Sequence, residues 1–299
     1  MSQQKSFIQQ KITAMSSLLI KGPLAFRAGF FILLFLVTLA ILEPCVNNYL
    51  LKGHSSTEFG LFPKLLPPSF EHPLGTDHFG RDIFSLQLTG LKYSLIIGLL
   101  AGGIATLVAV VIATTSGYLG GKVDSVLNAI TNSVLVIPTL PILLAIAAYV
   151  RMNLLMLSFT LAAFSWPWPT RVIRAQILSL KERPYVDLAK VSGLNSFEIM
   201  FFEILPNLMP FIGVGFAYAI IGAMIAETGL RLIGLGPGDI PSLGLLLFWY
   251  MGFGAIAQGY YQMVLAPAAL LILIFISLNL INVGLEEIFN PRLKKITGL

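Results

Sequence analysis

The stretch Tyr185–Pro206, YVDLAKVSGLNSFEIMFFEILP, is polar and charge-bearing, yet it lies between long uncharged runs. Its spacing predicts two short helices joined by a tight corner. Pro184 suits a first helical position, where its missing N–H costs nothing. Asp187 stands near the start of the first helix and Lys190 near its end, each with the sign that complements the helix dipole. Gly193 fits a left-handed C-terminal cap. Asn195 and Glu198 stand three apart as in a capping box, with Leu194 and Ile199 placed as the hydrophobic staple beside it. The second helix is expected to run to Leu205, just before Pro206. Tyr185, Leu188, Ala189 and Ser192 share one face by i, i+3, i+4, i+7 spacing. A membrane protein that builds such a segment on its water side has a ready grip for a soluble partner.

The surrounding composition supplies the membrane. Hydrophobic residues make up 56% of the chain and charged residues 11%, against about 25% charged in an ordinary globular domain. Such a chain cannot cover a water-facing surface and is an integral membrane protein. The single cysteine, Cys45, excludes an intramolecular disulfide, and no metal-type Cys/His spacing occurs. The net charge of +5 does not point to nucleic acid. The basic residues flank apolar runs, which is how a membrane protein meets anionic headgroups.

Charge gaps locate the spans, since a crossing helix needs roughly 20 mainly apolar residues. No charged residue occurs between Lys92 and Lys122, Asp124 and Arg151, Arg151 and Arg171, or Glu203 and Glu227. Each gap holds one helix. A first span covers 24–43, with Arg27 snorkelling at its inner end, and a last one runs from about Met263 to Gly284. Leu243–Ala257 is short and loosened by Gly252, Gly254 and Gly259, which places it at the outer surface. The expected fold is all-α and polytopic, with six transmembrane helices. An N-terminal segment 1–23 and the span 24–43 precede an extracellular connection, 44–88. The core 89–290 contains the polar loop 181–206 and an outer loop 232–262, and a tail, 291–299, follows. With six spans and the N-terminus inside, thirteen of the nineteen Lys and Arg fall on inner segments, among them Arg292, Lys294 and Lys295. That satisfies the positive-inside rule and puts both termini in the cytoplasm. The first run reads as a retained anchor, because Glu43-Pro44 follows where a cleaved signal would carry small residues.

Other motifs have plain readings. HPLGTDHFGRD, His72–Asp82, holds two histidines and two aspartates, but Pro73 and Gly75 bend the chain and Asp77 is placed to bond nearby N–H groups. A structural corner is preferred there to a metal site. GYLGGKVD, Gly117–Asp124, reads as a tight inner turn, because it lacks the GK[ST] ending of a phosphate loop. Pro138, Pro141 and the WPWP run Trp166–Pro169 kink or end spans and free carbonyls that line a cavity. Asn132, Ser133, Trp166, Tyr218 and Met224 have the polar or aromatic reach to line a solute path, although such residues also pack between helices.

Ionisable groups are nearly absent from the spans. Glu227, with Arg231 four residues on, is expected to form an interfacial ion pair. The competing reading, an ion-coupled secondary carrier or channel, needs carboxylates or histidines at membrane depth. A membrane enzyme needs an acid, base and nucleophile together, and no such set recurs at a span end. The energy for transport is therefore expected from a docked partner.

The chain resembles the ABC importer permeases, most closely the C-type subunit of the dipeptide/oligopeptide family. The likeness rests on Asp187–Ala189, Gly193 and Ile204-Leu205-Pro206, similar to the EAA coupling loop, and on HPLGTDHFGRD, GYLGGKVD, ETGLRLIGLG (Glu227–Gly236) and NPRLKK (Asn290–Lys295) in the family's order. Asp187 and Leu188 replace the usual Glu and Ala, and ETGLRLIGLG is closer to oligosaccharide importers than the usual peptide-type EAxLSFLGLG. The resemblance implies a prokaryotic cell-membrane protein that supplies half of a translocation path for oligosaccharides or oligopeptides. It implies ATPase coupling through Tyr185, Asp187, Leu188, Ala189, Ser192 and Gly193. Its implied partners are a second permease of similar fold, two cytoplasmic ATPases that bind ATP and Mg, and an extracellular solute-binding protein. No cofactor is expected in this chain. The absent deep charge and the ETGLRLIGLG segment give a mild preference for an oligosaccharide.

Overall fold

Lipid offers backbone N–H and C=O groups no partner, so apolar runs that enter it fold as helices. The computed structural model describes residues 22–289, and among these the only β feature is one isolated bridge, Thr76 to Asp82. The expected Arg292–Lys295 cluster and the terminal segments lie outside the described residues.

Ten helices follow in order: α1 (Leu24–Leu51), α2 (Ile83–Leu119), α3 (Gly121–Val136), α4 (Thr139–Tyr149), α5 (Leu154–Ser165), α6 (Pro167–Leu180), α7 (Pro184–Val191), α8 (Ser196–Leu232), α9 (Leu243–Gly252) and α10 (Tyr261–Phe289). Four of them, α1, α2, α8 and α10, are long and apolar enough to cross a membrane. The pair α3–α4 makes a fifth span if taken together, bent by 76°. The expected count of six is not reached by length and composition. The gap between Arg151 and Arg171 holds no long helix but the 12-residue α5 and the start of α6, because Pro167 and Pro169 lack N–H donors and α6 begins as a separate helix.

Two boundaries differ from expectation. The first helix does not end at residue 43 but runs through Pro44 to Leu51. Glu43 need not leave the helix to reach water, because it is buried and solvated by protein. Its Oε1 accepts from Asn47 Nδ2 (2.9 Å) and Thr89 Oγ1 (2.8 Å), and its Oε2 pairs with Lys92 Nζ at 3.0 Å. Nor does the second corner helix stop at Leu205. A wide turn over Ile199–Ile204, closed by Leu205 N–H to the Met200 carbonyl, carries it past Pro206 as the start of α8. Such π-turns absorb the missing bond of a proline.

Helix α9 is not peripheral. Leu243, Leu246 and Tyr250 are fully buried among α1, α2, α8 and α10. The segment before α2 is fastened to it by Arg81, a buried side chain that pairs with Asp77 (Nη2–Oδ2, 2.6 Å). Its guanidinium lies over Trp249, Phe79 and Phe59 at 4.4, 4.8 and 5.3 Å. Asp77 Oδ1 also accepts from the Phe79 and Arg81 backbone, so the HPLGTDHFGRD corner forms as read. His72 spends its Nδ1 on Asp82 (2.8 Å).

Helices α1 and α10 touch backbone to backbone. A Cβ on Gly284 would overlap the Phe26 main chain. Gly284→Ala is therefore expected to destabilise the detergent-solubilised protein by about 1–3 kcal/mol, the usual scale of overpacking. Gly103→Ala, which adds its methyl to open space, serves as the control. Equal melting temperatures for the two variants contradict the close packing.

Candidate functional site

The corner at α7 is built from local rules. Pro184 opens the helix, and Gly193, at φ +84, closes it in the left-handed region that side-chain-bearing residues avoid. Gly193 N–H donates to the Lys190 carbonyl and Leu194 N–H to that of Ala189, the two bonds of a Schellman motif. Two residues on, Asn195 Oδ1 accepts from Glu198 N–H (2.9 Å) and Glu198 Oε2 from Asn195 N–H (2.7 Å). The capping box thus hands the chain straight into α8. Leu194 and Ile199 sit in the same apolar cluster, as the staple requires.

The helix has two apolar edges. Val186 and Ala189 are buried against Ile173 and Ile177 of α6 and Ile199, Ile204 and Leu208 of α8. Leu188 and Val191 point away, 68% and 86% exposed. The predicted set is therefore split. Leu188 and Ser192 are exposed, Tyr185 is half-buried, and Ala189 faces its own protein, so the expected common face does not form. Val191 was missed, and the signal for it was a second i, i+3 apolar pair, 188 and 191, beside 186 and 189. Asp187 and Lys190 pair with each other at 2.9 Å in solvent, and the carboxylate holds the Lys190 ammonium above its usual range. Burial, aided by the charge of Glu203, pushes the Tyr185 hydroxyl up.

A groove of about 430 Å³ opens on the molecule's side. It is lined by Leu135, Thr139 and Leu140 around the α3–α4 bend, Phe164 of α5, Trp168 of α6, and Tyr218, Ile221 and Ile225 of α8. No charged side chain enters this lining. Trp168 and Tyr218 meet edge to face at 5.0 Å. Of the expected path residues, Tyr218 alone lines this groove. Met224 is buried against Gly98, and Trp166 packs between α2, α6 and α8. Ser133 is exposed on α3, and Asn132 accepts two bonds from Arg171. The WPWP run does shape the cavity, through Trp168 rather than Trp166.

At the far end of α8, Glu227 and Arg231 pair at 2.8 Å as spaced, but the pair is buried rather than interfacial. Ser242 donates to the same Glu227 oxygen (2.6 Å), and Arg231 donates to the Pro237 and Ile240 carbonyls. The loop 233–242 wraps the pair and excludes water from it.

Residues 105–295 match the family described as binding-protein-dependent transport system inner membrane component, a range that takes in the corner, the groove and the buried pair. The chain belongs to that family. It is 31% identical over 276 residues to the dipeptide transport system permease protein DppC of Bacillus subtilis, covering 92% of this chain and 84% of the relative. To the oligopeptide transport system permease protein OppC of Mycobacterium tuberculosis it is 31% identical over 236 residues, covering 78% and 80%. To OppC of Bacillus subtilis it is 28% identical over 269 residues, covering 89% and 85%. This is an ABC importer permease of the peptide family, a transport component and not a catalytic enzyme.

For this permease the buried pair generates a stability test. Arg231→Met leaves a carboxylate buried and uncompensated, with an expected loss of about 3–5 kcal/mol. Adding Glu227→Gln removes that charge and is expected to restore most of the loss. Thermal unfolding in detergent measures both, and a double variant no more stable than Arg231→Met alone contradicts the account.

Proposed function

We propose that this chain is one of two permease subunits of an ATP-driven importer, with α7 as its coupling helix. The carrying observation is the exposed pair Leu188 and Val191, displayed on a helix that is pinned from beneath, opened by Pro184 and closed by the Gly193 turn. Apolar side chains held rigidly in water mark a protein contact. In this reading α7 and both termini face the cytoplasm of a prokaryotic cell, and Leu188, Val191 and Ser192 enter an ATPase that binds ATP and Mg. Tyr185, Ala189 and Gly193 hold the helix in place for that contact. A second permease of similar fold faces the groove and completes the path, and a solute-binding protein delivers to the opposite side.

The solute is an oligopeptide in this reading, supported by the dipeptide and oligopeptide transport systems to which the relatives belong. The ETGLRLIGLG segment, which favoured a sugar, is largely spent on the buried clamp and so carries little about the solute. A second reading, an oligosaccharide, is favoured by the uncharged groove with Trp168 and Tyr218 on its wall.

The test replaces Leu188 and Val191 by Glu in the assembled complex in proteoliposomes. Uptake is expected to fall about tenfold or more, as when a contact worth over 1 kcal/mol is lost at an interface. Insertion and melting temperature stay unchanged, because neither residue packs against the permease. Wild-type uptake in the double variant overturns the assignment.

A further inference from the structure

We infer that Arg171 receives the carboxylate of the solute at the α7-side mouth of the groove, a step that rests on the transport reading above. Helix α6 carries two arginines one turn apart, and their surroundings differ. Arg174 is compensated by Asp124, Nε to Oδ1 at 2.6 Å and Nη2 to Oδ2 at 2.5 Å. Arg171 has no carboxylate within salt-bridge distance among the described residues. Its only hydrogen-bond partner there is the amide of Asn132, whose Oδ1 accepts from Nε at 3.1 Å and Nη2 at 2.6 Å. An amide carbonyl orients a guanidinium without neutralising it. Arg171 is exposed, and its Nη1 donors are not used by Asn132, which leaves them for an anion.

Position links this cation to the path. Arg171 follows the groove residue Trp168 by three, and Asn132 precedes the groove residue Leu135 by three. Residues three apart stack on one helix face, so the pair extends both walls of the groove by one turn. The groove itself offers an anion no charged partner, and an unpaired carboxylate held in an apolar passage is costly. A fixed, uncompensated cation at the exit draws a peptide's C-terminal carboxylate through. An arginine that served lipid headgroups would snorkel on a free stem, whereas this one is clamped across two helices.

The complete complex, with both permeases, the ATPases and the binding protein, is reconstituted in proteoliposomes and supplied with a tripeptide bearing a free C-terminus. Arg171→Gln is expected to lower uptake about tenfold, on the scale of one charge-assisted hydrogen bond, and Arg171→Lys to retain most of it. Asn132→Asp discriminates the role: it strengthens the tie between α3 and α6 but fills the guanidinium with a resident carboxylate. The same tenfold loss is expected there. Wild-type uptake by Asn132→Asp, or by Arg171→Gln, overturns the inference while leaving the peptide reading intact. If the wild-type complex carries a neutral oligosaccharide and no peptide, the peptide reading fails and takes the inference with it.

Discussion

A helix that crosses lipid must close its backbone bonds within itself, and α8 meets that constraint under an unusual load. Pro206 and Pro210 both fall within it. The wide turn at Ile199–Ile204 shifts the pairing so that Leu205 bonds Met200, and Asn207 Nδ2 covers the Glu203 carbonyl at 2.7 Å. The helix therefore persists for 37 residues, about 55 Å at 1.5 Å per residue. Helices α2, α6, α9 and α10 pack along it. The capped corner at one end and the Glu227–Arg231 pair at the other are parts of a single rod, so displacement of the corner displaces the loop that wraps the pair.

Among the described residues, buried charge is accompanied. Arg81 has Asp77 and three aromatic faces, Arg231 has Glu227 and two carbonyls, and Glu43 has Lys92, Asn47 and Thr89. Buried pairs of this kind add little net stability, because desolvation offsets their attraction. They fix which segment lies against which. All three fasten loops and helix ends at the side of the bundle away from α7.

What the sequence disclosed follows the range of the interactions involved. The corner was legible almost residue by residue, since a cap, a Schellman turn and a capping box join residues no more than five apart. Membrane class and the long spans were legible from charge gaps. The burial of α9 was not, because it depends on Arg81, Glu227 and Ser94, whose partners Trp249, Ser242 and Leu243 are brought to them by tertiary packing. Ala189 and Met224 turn out to be buried for a related reason. An apolar stripe announces that it will be covered, but the chain that covers it is chosen by tertiary packing. The 76° bend at Pro138 was foreseeable as a kink, yet its product, a groove shared with Trp168 and Tyr218, required the positions of α5, α6 and α8.

The division of α7 into two edges separates two kinds of evolutionary pressure. Val186 and Ala189 answer to the permease core, where volume is fixed to within a methyl group. Leu188 and Val191 lie outside that core cluster and are largely exposed, so drift there weighs little on folding and, in the proposed reading, is judged by the docked partner. The exposed edge can therefore be retuned to a new partner in single steps, without passing through an unfolded intermediate. Paralogous permeases in one cell could in this way share an ATPase or refuse it through two side chains.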